Sequence, residues 1–144
     1  MELSFQDKEK LVLYAVNARK NAYAPYSQYM VGAAAMTSDG SIFTGCNVEN
    51  ASYGLTSCAE RNTVYEAVSK GYKKIKAIAI HGKQYNAQGL NFDFPYPCGA
   101  CLQVLAEFVD DEEDMLVIVA KSANVYQEYK LSELLPETFK LIHH

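Results

Sequence analysis

Three cysteines set the strongest constraint on how this chain can fold. Cys58 opens Cys58-Ala59-Glu60-Arg61, while Cys98 and Cys101 lie far downstream in Pro97-Cys98-Gly99-Ala100-Cys101. A Cys-x-x-Cys pair and a distant third thiol can close on one zinc ion, so the fold must bring two remote segments to a common point. Three thiolates fill three of the four tetrahedral positions that zinc prefers. The fourth is left for water, which distinguishes an open, reactive site from a closed structural one. Both segments read as helix starts, where free N–H groups and the positive end of the helix dipole stabilise thiolates.

The neighbours of these cysteines have chemical uses of their own. Three thiolates around a dication leave a net negative charge, and Arg61, next to the first ligand segment, is the candidate to offset it from just behind the ligands. Glu60 lies in the first helical turn, aimed at the same pocket without being forced onto the metal, and is the candidate general acid and base. Its plain alternative is a Glu favoured there by the helix dipole alone. Pro97 suits a helix start, and Gly99 lets the backbone pass close to a metal. The fourth cysteine, Cys46, ends a predicted strand and reads as a small core residue. His81 ends another strand, and His143 and His144 close the chain as a terminus or tag remnant.

The bulk properties narrow the function classes. At 144 residues with 49% apolar and 21% charged residues, the chain suits one globular domain spanning 1–144. Net charge is −4 and the only dense charge run, Asp110 to Asp114, is acidic, so no basic field exists to hold a polynucleotide. Without an apolar run of roughly 20 residues a membrane span is not expected. The N-terminus opens straight into a charged amphipathic stretch, so a cytoplasmic protein is expected. There, metal binding explains the cysteines better than disulfides do.

The element order follows from spacing. Ser4 caps a helix whose apolar positions Leu11, Val12, Ala15, Ala18 and Ala22 recur at three and four, with Pro25 beyond its end. Met30 to Thr37 and Ser41 to Cys46 flank Ser38-Asp39-Gly40 as two antiparallel strands. Cys58 to Lys70 is a helix stopped by Gly71. Lys74 to His81 is apolar enough for a central strand covered on both faces. Cys98 to Phe108 is a third helix, with Leu102, Val104, Leu105 and Phe108 inward, and Met115 to Ala120 is another buried strand. A helix between two buried runs favours parallel pairing, hence a mixed sheet with helices on its faces.

A ligand, an alternate-position Glu and a downstream Pro-Cys-x-x-Cys form the general signature of the zinc nucleobase deaminases. With Cys58 as the first ligand, the chain resembles the small cytidine deaminases that form homotetramers. The likeness continues in order through Ala24-Pro25-Tyr26-Ser27, Val31-Gly32-Ala33-Ala34 and Gly45-Cys46-Asn47-Val48-Glu49-Asn50-Ala51-Ser52-Tyr53-Gly54. It extends to Ala67-Val68-Ser69, Gln103-Val104-Leu105 and Leu134-Leu135-Pro136. The resemblance implies a three-layer α/β/α sandwich around a mixed five-stranded sheet, with one zinc per subunit. It implies a pyrimidine nucleoside substrate, deaminated as cytidine or deoxycytidine to the uridine form with ammonia release, as in pyrimidine salvage.

Residue by residue, it implies that Asn47 and Glu49 hold the ribose and that Glu60 meets the ring nitrogen. The Ala59 carbonyl would accept from the exocyclic amine, and Tyr29, where relatives usually have Phe, would stack on the base. Tyr53 and Phe139 would come from neighbouring subunits at shared active sites. Three departures stand out. Leu102 replaces a common Arg, Tyr96 replaces a small residue before Pro97, and the stretch Lys83 to Tyr96 is long and carries Tyr85, Phe92 and Phe94. They motivate an alternative preference for modified or N4-substituted cytidines or an aminonucleoside antibiotic. A structural zinc module closed by Cys46 is the reading from a different class.

Overall fold

The computed structural model describes residues 3–110 and 113–141; His143 and His144 lie outside the described residues. Helix α1 spans Phe5–Arg19, with Ser4 accepting from the Asp7 N–H at its start. It ends before Ala22, short of the expected reach toward Pro25, as Asn21 and Ala22 turn the chain with hydrogen bonds to Ala18 and Arg19 carbonyls. Strands β1 (Tyr29–Thr37) and β2 (Ile42–Cys46) pair antiparallel across the expected turn, where Gly40 takes φ +90°. A short 3-10 helix at Tyr53–Leu55 precedes α2 (Ala59–Ser69), which Gly71 terminates at φ +93°.

Strand β3 (Ile75–Gln84) leads through the 85–98 loop to α3 (Gly99–Ala106), β4 (Leu116–Ala120), β5 (Tyr126–Lys130) and the short α4 (Leu131–Leu134). The strand order is β2-β1-β3-β4-β5, which puts β3 at the centre as its apolar run required. β3 and β4 are parallel, joined by the α3 crossover, and the other pairings are antiparallel. Phe108 falls beyond the end of α3 but still packs against the core. No helix among the described residues is long and apolar enough to cross a membrane.

Alternation along the strands sorts the core into two unequal layers. Ala33, Ala35, Ile78, Ile80, Val117 and Val119 face Val64, Ala67 and Leu105 of α2 and α3. Ala34, Met36, Ala77, Ala79 and Ala120 face Leu11, Val12 and Ala15 of α1. The second face is mostly alanine, so α1 lies close on the sheet, whereas the first face buries larger side chains, each worth about 1.5–3 kcal/mol. At Gly32 the approach is closest: an added Cβ would fall 2.2 Å from the Ala15 oxygen and 2.3 Å from the Arg19 nitrogen.

The topology also fixes where a site can form. β2 and β3 are both antiparallel to the strand between them, so they run in the same direction, and α2 and α3 follow them at the same end of the sheet. The start of β1 lies at that end too. Gly32→Ala is expected to destabilise the protein by about 2 kcal/mol or more, because the obstruction is backbone and cannot swing aside. Urea unfolding measures this, and a loss below about 0.5 kcal/mol contradicts the close approach.

Candidate metal centre

Cys58 and Cys98 are the N-cap residues of α2 and α3, with nearly the same extended backbone, φ −74° and ψ 154° against φ −74° and ψ 167°. Neither thiol caps its own helix, so both sulfurs remain free to turn toward each other in the positive field of the helix ends. Cys101 comes one turn later on α3, and its sulfur lies 3.4 Å from that of Cys98. The three sulfurs all lie within 4.8 Å of one another. Tetrahedral zinc with Zn–S bonds of about 2.3 Å requires sulfurs about 3.8 Å apart, so the trio fits the ion with small adjustments. Cys46 is half-buried at the end of β2 and is not in the cluster.

Arg61 lies behind the thiols. Its Nη2 donates to the Cys58 sulfur at 3.3 Å and to the Thr56 carbonyl at 3.5 Å, while its buried Nε has no partner. Hydrogen bonding from Cys101, then from Arg61, brings the Cys58 thiol down to about 5 despite its burial. Cys101 moves the opposite way, raised first by its hydrogen bond to Cys58 and then by burial. A cation bound by these sulfurs would displace the remaining thiol protons. Leu102 is 7% exposed and packs into the core under α2 and α3. Its side chain belongs to the hydrophobic layer, and Arg61 supplies the cation at the sulfurs.

Glu60 sits beside the thiols in the first turn of α2 and is 6% exposed. Burial pushes its carboxyl up to about 7, with the Cys58 charge adding to the rise. A carboxyl in that range both takes and gives protons near neutrality. In front of it opens a cleft of about 310 Å³, within the range of small-molecule sites. Tyr29, Asn47, Glu49, Tyr53, Cys58, Ala59, Glu60 and Cys98 all line it.

Backbone pairing holds the two polar candidates in place. Residues 47–49 run between Tyr23 and Ser57, with Val48 and Ser57 exchanging hydrogen bonds of 3.0 and 2.9 Å. The Asn47 amide spans the start of β1, accepting from the Val31 N–H at 2.9 Å and donating to the Tyr29 carbonyl at 2.8 Å. Glu49 accepts from the Tyr26 and Ser27 N–H groups at 3.0 and 3.1 Å and from the Ser27 hydroxyl. Burial raises its pKa, but these hydrogen bonds outweigh that effect and keep the carboxyl below its usual value. They also brace the turn in which Gln28 adopts φ +61°, a left-handed conformation that strains a non-glycine residue.

The remaining expected site residues fall in different places. Ala59 lines the cleft, and its carbonyl, the first within α2, accepts from the Thr63 hydroxyl at 2.7 Å. Tyr53, which the resemblance gives to a neighbouring copy, lines its own chain's cleft, with its hydroxyl 3.5 Å from Glu49 Oε2. Phe139 is 71% exposed and lies at a separate hollow near Lys74, its backbone paired with Gln103. Ser27 was not singled out by sequence, although its place in Ala-Pro-Tyr-Ser, a turn sequence with a hydroxyl at the end, was the available signal.

A family model described as the cytidine and deoxycytidylate deaminase zinc-binding region matches residues 5–118. The chain is 43% identical over 133 residues to a cytidine deaminase of Halalkalibacterium halodurans, covering 92% of this chain and 94% of that one. It is 43% identical over 134 residues to a probable cytidine deaminase of Dictyostelium discoideum, covering 93% and 84%. The fold resembles the crystal structure of cytidine deaminase from Burkholderia pseudomallei at a TM-score of 0.77 and 41% identity, over 90% of this chain and 97% of that one. It also matches the Mycobacterium tuberculosis cytidine deaminase structure at 0.75 and 36%, over 97% and 100%.

Two outcomes are expected. Cys101→Ala should purify with trace zinc while Cys46→Ala keeps the zinc content of the parent; metal retained by the first or lost from the second contradicts the ligand set. Because folding raises the Glu60 pKa, its protonated form favours the folded state fully below pH 4.5, and that contribution is lost as pH rises through about 7. Metal-free Glu60→Gln should therefore gain stability over the metal-free parent across this window, on the order of 3 kcal/mol by about pH 8. Urea unfolding at both ends of the window tests this, and a difference independent of pH contradicts it.

Proposed function

Because the chain belongs to the cytidine and deoxycytidylate deaminase family, we propose that it hydrolyses cytidine and deoxycytidine to uridine and deoxyuridine with release of ammonia, in pyrimidine salvage. The observation that carries this reading is a buried carboxyl beside three convergent thiols at the mouth of a nucleoside-sized cleft. Cys58, Cys98 and Cys101 hold one zinc per subunit. When bound, the ion supplies Lewis acidity, making water nucleophilic near neutral pH.

The protein's own groups do the rest. Glu60 takes the proton that the attacking water loses and passes it to the ring nitrogen as oxygen bonds to the amidine carbon. It then takes the second proton from the new hydroxyl and delivers it to the amino group, which leaves as ammonia as the carbon–nitrogen bond breaks. Its elevated pKa suits both directions of transfer. The Ala59 carbonyl accepts from the exocyclic amine, and Tyr29 stacks on the base. Asn47 and Glu49 receive the ribose; their hydrogen bonds to the 26–31 backbone orient them before substrate arrives. Arg61 offsets thiolate charge. The protein works in the cytoplasm as a homotetramer in which Phe139 reaches the site of a neighbouring subunit, a role its exposure supports, while Tyr53 lines the cleft of its own chain.

One observation favours a second reading, preference for N4-substituted cytidines or an aminonucleoside antibiotic. A second hollow of about 580 Å³, lined by Asp93, Phe94 and Lys121, adjoins the cleft across the wall formed by Tyr29, Pro95 and Tyr96. Rates on cytidine, deoxycytidine and N4-methylcytidine separate the two, since negligible turnover of the last removes the second. Glu60→Gln is expected to lower the cytidine rate by about a thousandfold or more with zinc content unchanged. A near-parental rate in that variant would remove Glu60 from the chemistry.

A further inference from the structure

Ahead of Cys98 the chain runs through Phe94-Pro95-Tyr96-Pro97, and from here the Tyr96 side chain reaches across to the edge strand β5. Its hydroxyl donates to Gln127 Oε1 at 2.9 Å and lies 3.0 Å from the Tyr129 hydroxyl, which is 2.7 Å from the same oxygen. Gln127 is the hub, because its carbonyl oxygen has two lone pairs and each hydroxyl one proton. The Tyr96 and Tyr129 rings meet edge to face with centroids 5.8 Å apart. Gln127 and Tyr129 are two apart on a strand and so project from one face, and Tyr129 packs on the core beneath. Tyr96 itself is 53% exposed. Burial therefore does little to fix it; the hydroxyl cluster and the ring contact do that work.

Tyr96 also has a second place in the molecule. With Tyr29 and Pro95 it lines both the cleft and the adjoining hollow, so this segment is a partition between two cavities. Prolines on both sides restrict the backbone, so whatever anchors the Tyr96 ring also fixes the approach to Cys98. The Tyr96 hydroxyl is committed to β5 and not to Glu60 or the thiols.

We propose that Tyr96, Gln127 and Tyr129 form a strap that holds the cleft wall in place, which makes Tyr96 a positioning residue for nucleoside affinity. This rests on the reading of the cleft as a nucleoside site. The strap acts on binding and leaves proton transfer to Glu60. It is a feature of this chain's own sequence, since it needs a tyrosine before Pro97 and a polar, aromatic edge strand to receive it.

The test compares zinc-loaded Tyr96→Phe, Gln127→Leu and the double variant with the parent. Each single variant is expected to raise KM for cytidine about three- to tenfold while kcat stays within about twofold, the effect of losing one or two neutral hydrogen bonds. The double variant should be no worse than the worse single one, because both remove the same link. Gln127→Glu keeps the acceptor and should restore the parental KM. Chymotryptic cleavage within residues 85–96 should be faster in the three strap-breaking variants. Parental KM values, or effects that multiply in the double variant, overturn the strap. A parent that deaminates no cytidine defeats the nucleoside reading instead. The strap is then judged on cleavage, which upholds it if accelerated and overturns it if unchanged.

Discussion

The shared direction of β2 and β3 governs everything built on this sheet. Because β1 lies between them and opposes both, the two helices that follow start at one end of the sheet, and each starts with a cysteine. Neither helix needs to bend or unwind to bring its thiol to the common point. Helix ends that the fold must expose in any case thus supply the positive field that thiolates require. The same end holds the start of β1 and the braced 47–49 segment, so the rest of the cleft assembles around the sulfurs without further topology.

Within that frame, burial and charge divide labour between adjacent residues. Cys58, Glu60 and Arg61 lie within four positions of one another, yet their environments push them apart. The thiol is drawn down by hydrogen bonds, the carboxyl is driven up by desolvation, and the guanidinium is held charged beside the sulfur. A thiol that stays anionic beside a carboxyl able to exchange a proton is the combination that acid–base chemistry at a cation would need. Leu102, by contrast, gives its position on α3 to the hydrophobic layer.

The parts legible in the sequence were those with local causes. Periodicity, a Ser cap, the Asp-Gly turn and Gly71 located α1, α2, β1 and β2 to within a few residues, and the apolar runs placed β3 centrally and β4 beside it. β5 was not located, because Tyr126–Lys130 is an exposed edge strand without a buried face to impose alternation; only the family likeness implied a fifth strand. The early end of α1 escaped because Ala22 keeps the helical spacing although the chain has already turned. The thiols, Glu60 and Arg61 were read from adjacency. Ser27 bracing Glu49, and Tyr96 tied to β5, are contacts between distant segments that no local pattern encodes.

Three convergent sulfurs can hold one cation and leave its fourth position open. Zinc K-edge X-ray absorption on the metal-loaded protein addresses this most directly. Three sulfur neighbours at about 2.3 Å and one oxygen or nitrogen at about 2.0 Å are expected. Four sulfurs, with Cys46 drawn in as the last, would describe a closed structural site and contradict that expectation.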